Sequence, residues 1–360
     1  MTTSHTSRTS DLQHEIDRLV ERAVGARHVH SLVLAVCSDD GTIDIGSAAG
    51  GAEPGDSYFV ASIAKMFTAT MVMQLIDENR LALDSPIHDH LPGVDLNGIH
   101  THKGRDFSDR IAIGHLLQHS SGLPDYFAGQ LQEDLAKNRD RAYTLDDVLD
   151  IARANEAEFP PGDRNGKRSS YCDTNYQLLS TIIENATGES LATNLQKRIT
   201  EPLGLAGTYL YGPDQAAARP APLPLRHRYR QLSIPLVLAS ERGAGGIVSS
   251  AADQVRFLQA FHAGELLSPA TVAGMQQWNR IFFPLEYGYG LMRYRLPRLL
   301  TPFGAVPELI GHSGVTGSFA FSAPAGGLHI AGTFNQLDKP SRPYALMSKI
   351  AKTTIDRLHR

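Results

Sequence analysis

Strand-like text stands at both ends of this 360-residue chain and helical text fills its middle, an order that few folds satisfy. Residues 31–37 (Ser-Leu-Val-Leu-Ala-Val-Cys) read as a buried strand, Asp39-Asp40-Gly41 as a turn, and residues 42–46 as the returning strand of a hairpin. Residues 11–24 carry Leu12, Ile16, Leu19, Val20 and Val24 at helical spacing. From residue 66 to about 210 the text is mostly helical, with segments at 111–119, 131–137, 145–154 and 176–186. A further helix is expected at 250–263, strands at 289–294, 308–312, 318–322 and 328–335, and a closing helix at 340–359. The expected fold class is α/β of the α+β type: an antiparallel sheet flanked by helices, with an inserted, mostly helical lobe. Residues 1–10 are expected as a disordered tail, 11–61 with 236–360 as a discontinuous α/β lobe, and 62–235 as the helical lobe. Within it, residues 212–235 carry Pro213, Pro220, Pro222, Pro224 and Pro235 and read as an extended segment crossing between lobes.

Composition narrows the partners. At 42% hydrophobic and 20% charged, the chain can bury a large core. Its formal net charge of −4 comes with no basic run, so neither nucleic acid nor an anionic membrane is an expected partner. The two cysteines, Cys37 and Cys172, lie far apart and suggest no disulfide framework. No run approaches the ~18 apolar residues of a membrane span. Residues 1–10 lack the apolar core of a signal peptide, which makes a cytoplasmic protein the expectation. Nothing in the composition sets an oligomeric state.

The chemistry centres on residues 59–68, Phe-Val-Ala-Ser-Ile-Ala-Lys-Met-Phe-Thr. Pro54 and Gly55 precede them, and a helix is expected from near Ser62 to about Arg80. A three-residue offset on a helix brings two side chains to one face, so Lys65 reaches the hydroxyl of Ser62. The serine also sits at the positive end of the helix, where its N–H has no intrahelical partner. A nucleophile needs a base and an oxyanion donor, and this placement offers both. The plainer alternative is a capping serine beside a solvated lysine.

Two more stretches could supply partners. Tyr171-Cys172-Asp173 precedes a helix, and a tyrosine near a lysine shares its proton more readily. Alternatively Tyr171 is a half-buried aromatic and Asp173 a helix cap. Residues 311–318, Gly-His-Ser-Gly-Val-Thr-Gly-Ser, offer exposed backbone N–H groups beside a strand, or merely a hairpin turn. His262-Ala263-Gly264, at a helix end, is set aside.

Together Ser62-x-x-Lys65, Tyr171-x-Asp173 and His312-Ser313-Gly314 resemble, in order, the three motifs of the serine β-lactamase superfamily. The branch is similar to the class C group of β-lactamases, D-alanyl-D-alanine carboxypeptidases, D-aminopeptidases and esterases. Residues 113–124 (Ile-Gly-His-Leu-Leu-Gln-His-Ser-Ser-Gly-Leu-Pro), 159–162, 201–205 and 245–253 share the likeness, which spans roughly 12–355. The resemblance implies a single penicillin-binding-protein-like catalytic domain acting without a cofactor or metal. It implies Ser62 as the acylated nucleophile, Lys65 as its proton acceptor and Tyr171 as the proton shuttle. The N–H groups of Ser62 and Val315 become the oxyanion hole, and Asp173, His312, Ser313, Gly314 and Val315 the substrate-binding set. His312 stands where many members have a lysine that holds a substrate carboxylate, and histidine titrates near neutrality. Asp173 stands where asparagine is commoner, and a carboxylate beside Lys65 favours its ammonium, which moves weight onto Tyr171.

The expected activity is a serine esterase or amidase on small acyl esters or D-amino-acid amides and peptides. A D-alanyl-D-alanine carboxypeptidase or class C β-lactamase is the nearest alternative, and a weakly acylating binding protein the alternative of another class. His88-Asp89-His90 and His100-Thr101-His102 suit zinc by ligand type, but fifteen histidines make such pairs common by chance.

Overall fold

The computed structural model describes residues 2–26, 28–163, 168–212, 217–297, 299, 306–337 and 341–358. Met1, Pro213, Pro340 and His359, each within a segment read above, lie outside the described residues. The N-terminal hairpin is β1 (Leu32–Ser38) and β2 (Asp44–Ala49). β3 (Ser57–Phe59), β6 (Tyr209–Leu210) and β9 (Ile247–Ser250) form a small sheet in the order β3-β9-β6. Two short hairpins pair β4 (Thr101–His102) with β5 (Arg105–Asp106), and β7 (Arg226–His227) with β8 (Arg230–Gln231). The C-terminal strands are β10 (Asn279–Phe282), β11 (Leu285–Tyr287), β12 (Met292–Tyr294), β13 (Leu309–Ser313), β14 (Ser318–Ala323) and β15 (Leu328–Thr333).

β15 closes the C-terminal meander onto β1, so the two ends of the chain share one antiparallel sheet ordered β10-β11-β12-β13-β14-β15-β1-β2. Ala331 is the hinge of that register, opposite Ala35 on one side and Ala320 on the other. β1 reads as an unbroken apolar run because both of its faces are covered. Leu32, Leu34 and Val36 pack with Ile16 of α1 (Thr2–Val24) and Met347 of the closing helix Arg342–Leu358. Val33, Ala35 and Cys37 point the other way, into the core shared with Phe257 and Phe261 of the helix Ala251–Ala263. Each large apolar side chain buried this way contributes roughly 1.5–3 kcal/mol.

Residues 2–10, expected as a tail, extend α1 instead. Ser and Thr nucleate helix poorly, but elongating an α1 already anchored by Leu12, Ile16 and Val20 adds a hydrogen bond per residue.

The inserted helices are α2 (Ala64–Asp77), α3 (Ile113–Leu117), α4 (Gln132–Lys137), α5 (Leu145–Arg153) and α6 (Thr174–Thr187). α2 is buried almost all round and lies at the centre of the larger core. Within the proline-rich stretch, Leu225, Leu232 and Ile234 pack against Tyr126, Leu131 and Leu135. Pro235 opens the helix Pro235–Ser240, where its missing N–H costs nothing. The short helix Arg242–Gly245 then lies against both α2 and α6.

Candidate active site

The chain enters the site along β3, paired with β9, and turns sharply at Ala61, whose φ of +49° lies in the left-handed region. For alanine this costs roughly 1–2 kcal/mol, so neighbouring structure must hold it. The Thr316 hydroxyl donates to the Phe59 carbonyl (3.1 Å), the Ser318 hydroxyl to the Val60 carbonyl (2.6 Å), and the Val60 N–H to Ile247 O (3.0 Å). A single 3-10 turn, Ala61–Ile63, carries Ser62 before α2 begins, so helix starts at the serine as the spacing predicts.

Lys65, one turn on, is fully buried. Its ammonium donates to Ser62 Oγ at 3.3 Å, to the Ala244 carbonyl at 2.7 Å, and to Asp173 Oδ1 in a tight ion pair. Three acceptors thus meet its three protons. The ammonium also lies 5.0 Å from the centre of the Tyr171 ring and 5.4 Å from that of Tyr176.

Asp173 occupies the N-cap position of α6 but makes no side-chain cap; its carboxylate turns inward to Lys65. What holds this segment is the stretch after α3. His119 Nδ1 accepts from the Cys172 N–H and the Asn175 amide (both 3.1 Å), and the Ser121 hydroxyl donates to Asn175 Oδ1 (2.8 Å). The Asp173 N–H donates to Asp125 Oδ1 (2.9 Å), and the Thr174 hydroxyl to the Pro124 carbonyl (2.8 Å). Two donors on Nδ1 place the proton of His119 on Nε2, and its ring lies against Tyr171 at 4.3 Å.

Tyr171 is half-buried, and its hydroxyl, shielded from solvent, meets no partner in good hydrogen-bond geometry among the described residues. Burial, then the charge of Asp173, push its phenol well above the ordinary range, while the nearby Ser62 hydroxyl pulls the other way. The serine is therefore the polar neighbour of that hydroxyl.

The β13–β14 turn completes the constellation. Val315 lines the same cavity as Ser62 and Tyr171. Gly314 is needed for the close approach: a Cβ there would lie 2.2 Å from Ser318 Oγ and 2.6 Å from the Val60 carbonyl oxygen. Ser313 is turned away, its hydroxyl 2.6 Å from that of Tyr344. His312 sits deeper than its motif neighbours. It is fully buried, its Nδ1 bonds the Ser313 carbonyl (2.8 Å), and its Nε2 lies 3.1 Å from the Tyr287 hydroxyl. Burial, with the Lys65 charge, pushes it down to about 3, which keeps it neutral, and it is not among the residues that line the Ser62 cavity. The second histidine pair has structural partners: His100 Nε2 contacts the Ser121 and Phe159 carbonyls and His102 Nδ1 that of Ala157.

Serine, lysine and tyrosine meet at the mouth of a buried helix, beside the turn of a sheet strand. The sequence profile described as Beta-lactamase matches residues 16–351, nearly the whole of this arrangement. The chain belongs to the Beta-lactamase family. Penicillin-binding protein 4 of Amycolatopsis lactamdurans is 29% identical over 325 residues, 81% of this chain and 76% of its own length. The D-stereospecific amidohydrolase from Streptomyces sp. superposes with a TM-score of 0.74 at 27% identity, covering 90% of this chain and 94% of that one. The D-amino acid amidase from Ochrobactrum anthropi SV3 superposes at 0.75 with 22% identity, over 96% and 99% of the two chains, a likeness of fold. The fold is that of the β-lactamase and penicillin-binding-protein hydrolases, and the chain is a serine hydrolase.

In this member of the Beta-lactamase family the cavity in front of Ser62 measures about 240 Å³. Phe59, Phe127, Leu135, Leu225 and Leu238 give it an apolar wall. Among its described lining residues are Asp125, Asp173 and Glu241, and no Lys, Arg or His. Sequence reasoning missed Asp125 and Glu241. Asp125 directly follows the Gly-Leu-Pro of the familiar 113–124 stretch, which was the available signal; Glu241 offered none.

Proposed function

We propose that the chain hydrolyses small amides and esters through an acyl-enzyme on Ser62. The convergence of Ser62, Lys65 and Tyr171 at one cavity carries this reading. Ser62 Oγ attacks the carbonyl, and its oxyanion forms in reach of the Ser62 and Val315 N–H groups. Tyr171 resists ionisation at rest, but a relay does not need free phenolate. Its oxygen takes the serine proton as its own proton passes to the departing amine or alkoxide, so the leaving group goes out neutral. Water then attacks the ester, returning the proton through the same hydroxyl. Lys65 acts with Asp173 as one charged unit that holds the Ser62 hydroxyl and lies 5.0 Å from the centre of the Tyr171 ring.

Amides or esters of D-amino acids are the favoured substrates, in keeping with the amidohydrolase and amidase likenesses. β-Lactams and D-alanyl-D-alanine peptides are disfavoured because their carboxylate would meet a cavity lined by acids, with His312 neutral and enclosed. The test is a panel: a short-chain aryl ester, D- and L-amino-acid amides, a D-alanyl-D-alanine peptide and a chromogenic cephalosporin, each with native protein and Ser62→Ala. Ser62-dependent turnover of the ester and the amino-acid amides is expected. A clear preference for the cephalosporin contradicts the reading.

A further inference from the structure

The two N–H groups given to the oxyanion come from different parts of the fold, Ser62 at the mouth of α2 and Val315 in the β13–β14 turn. Hydrogen bonds fix the Val315 end. The Gly317 N–H donates to the Gly314 carbonyl (3.0 Å), and the Gly314 N–H to that of Ser318 (2.8 Å). A trans peptide points its N–H opposite its C=O. A Gly314 carbonyl turned into the hairpin therefore turns the Val315 N–H out of it, and Val315 lines the cavity. One peptide earlier, the Ser313 carbonyl is held by His312 Nδ1 (2.8 Å). A carbonyl only accepts, so Nδ1 carries the proton. His312 is buried and neutral, which leaves Nε2 bare, and the Tyr287 hydroxyl 3.1 Å away donates to it.

Tyr287 is fully buried, and no step of the mechanism uses it. Its hydroxyl also lies 3.3 Å from that of Tyr176, which donates to the Leu117 carbonyl at the end of α3 (3.0 Å). The turn after β11 is pressed against α2. The Gly290 N–H donates to the same Leu117 carbonyl (3.1 Å), and a Cβ on Gly290 would lie 2.1 Å from Ala69 Cβ and 3.4 Å from the Lys65 carbonyl oxygen. Tyr287 thus stands between the helix of the nucleophile and the strand that carries the oxyanion turn. We propose that Tyr287 is a positioning residue for the oxyanion hole: by donating to His312 Nε2 it fixes the imidazole that holds the Ser313 carbonyl, and through it the Val315 N–H. The proposal rests on the acyl-enzyme reading above and names what aligns the two oxyanion donors. Without the phenol O–H, Nε2 is a buried acceptor with no donor, which is costly in a dry site. The imidazole relieves this by moving its proton or turning its ring, and either change releases the Ser313 carbonyl.

The experiment measures Tyr287→Phe and native protein on an aryl ester and on the matching thionoester. In the thionoester the developing charge falls on sulfur, a weak acceptor, so the ester-to-thionoester ratio of kcat/KM reads the oxyanion donors. Tyr287→Phe should lower kcat on the ester by roughly 10-fold, short of the ~10²–10³-fold that outright loss of a donor costs. KM should stay within about 2-fold, the mark of an interaction made in the transition state. The ester-to-thionoester ratio should shrink several-fold, which a merely structural role would not cause. In native protein, nitrogen-15 NMR with His312 assigned sequentially should show the neutral Nδ1–H tautomer at neutral pH. An Nε2–H tautomer, or a ratio left unmoved by Tyr287→Phe, overturns the positioning role; if the variant does not fold, the native tautomer decides. If Ser62 still forms an adduct with an aryl ester in that case, the hydrolase reading survives alone. If Ser62 is never acylated, both fall.

Discussion

The Lys65 ammonium lies 3.3 Å from Ser62 Oγ while its other two protons go to Asp173 and the Ala244 carbonyl. Lysine therefore presents a donor, not a lone pair, to the nucleophile. In the proposed mechanism the hydroxyl that carries the serine proton is that of Tyr171, and the first prediction concerns it. Tyr171→Phe should lower kcat by roughly 10²–10⁴-fold, the usual worth of a positioned acid–base group. Because that hydroxyl makes no well-formed hydrogen bond among the described residues, the melting temperature should hold. Steady-state kinetics beside a thermal melt checks both; a variant with near-native kcat refutes the relay.

Asp173→Asn tests the electrostatics. The Asp173 charge stands second to burial among the causes that raise Tyr171, Asp125 and Glu241. Removing it favours the deprotonated form of each, so the rising limb of kcat/KM against pH should move to lower pH. A limb that stays put or moves up shows that Asp173 does not set the basicity of the site.

Gly314→Ala tests the seam between the β13–β14 turn and the nucleophile. Its Cβ would enter the space of Ser318 Oγ and the Val60 carbonyl, so the turn must retreat from Val60. A stability loss of roughly 1–3 kcal/mol is expected, as for other overpacked sites, and Val315 is carried off the oxyanion position. Denaturant melts and kcat together check this; native values of both contradict it.

Much of the site is legible in the sequence because local geometry dictates it. The Ser62–Lys65 offset is a helix-face rule, and the hairpin at β1 and β2 follows from a turn between apolar runs. Short elements carry little periodicity: β10 and β11 were missed, as was the β3-β9-β6 sheet. Long-range contacts leave no local mark. Glu241 reaches Tyr126 across 115 residues, and Lys65 reaches Ala244 across 179. His312 shows the same limit from the other side. Its motif position suggests a substrate contact, but Tyr287 in β11 and the Ser313 carbonyl take both of its ring nitrogens.

His312→Lys should consequently not create an anion site. It would bury a second ammonium near Lys65, and an uncompensated buried charge costs about 3–5 kcal/mol. A large fall in melting temperature is the expected outcome. A stable variant with improved turnover of a cephalosporin shows that the position faces substrate after all.

The acid wall predicts a pH-dependent stability. Asp125 and Glu241 have folded-state values raised to about 7 and about 8, above those of an unfolded chain. The folded state then binds more protons than the unfolded one between about pH 4 and pH 8, so stability falls as pH rises through that window. Glu241→Gln keeps an acceptor for Tyr126 and removes the charge. At pH 8 it should raise stability by on the order of 1 kcal/mol, with a smaller gain at pH 5. A gain independent of pH, or a loss at pH 8, contradicts the assignment of charge to this wall.

Hydrolysis through an acyl-enzyme requires that Ser62 becomes covalently acylated. Intact mass spectrometry after brief exposure to a fluorophosphonate or an activated aryl ester reads this directly. One adduct per chain is expected, mapped to the peptide holding Ser62, absent from Ser62→Ala and formed far more slowly by Tyr171→Phe. An adduct that persists unchanged in Ser62→Ala, or that maps to another residue, contradicts it.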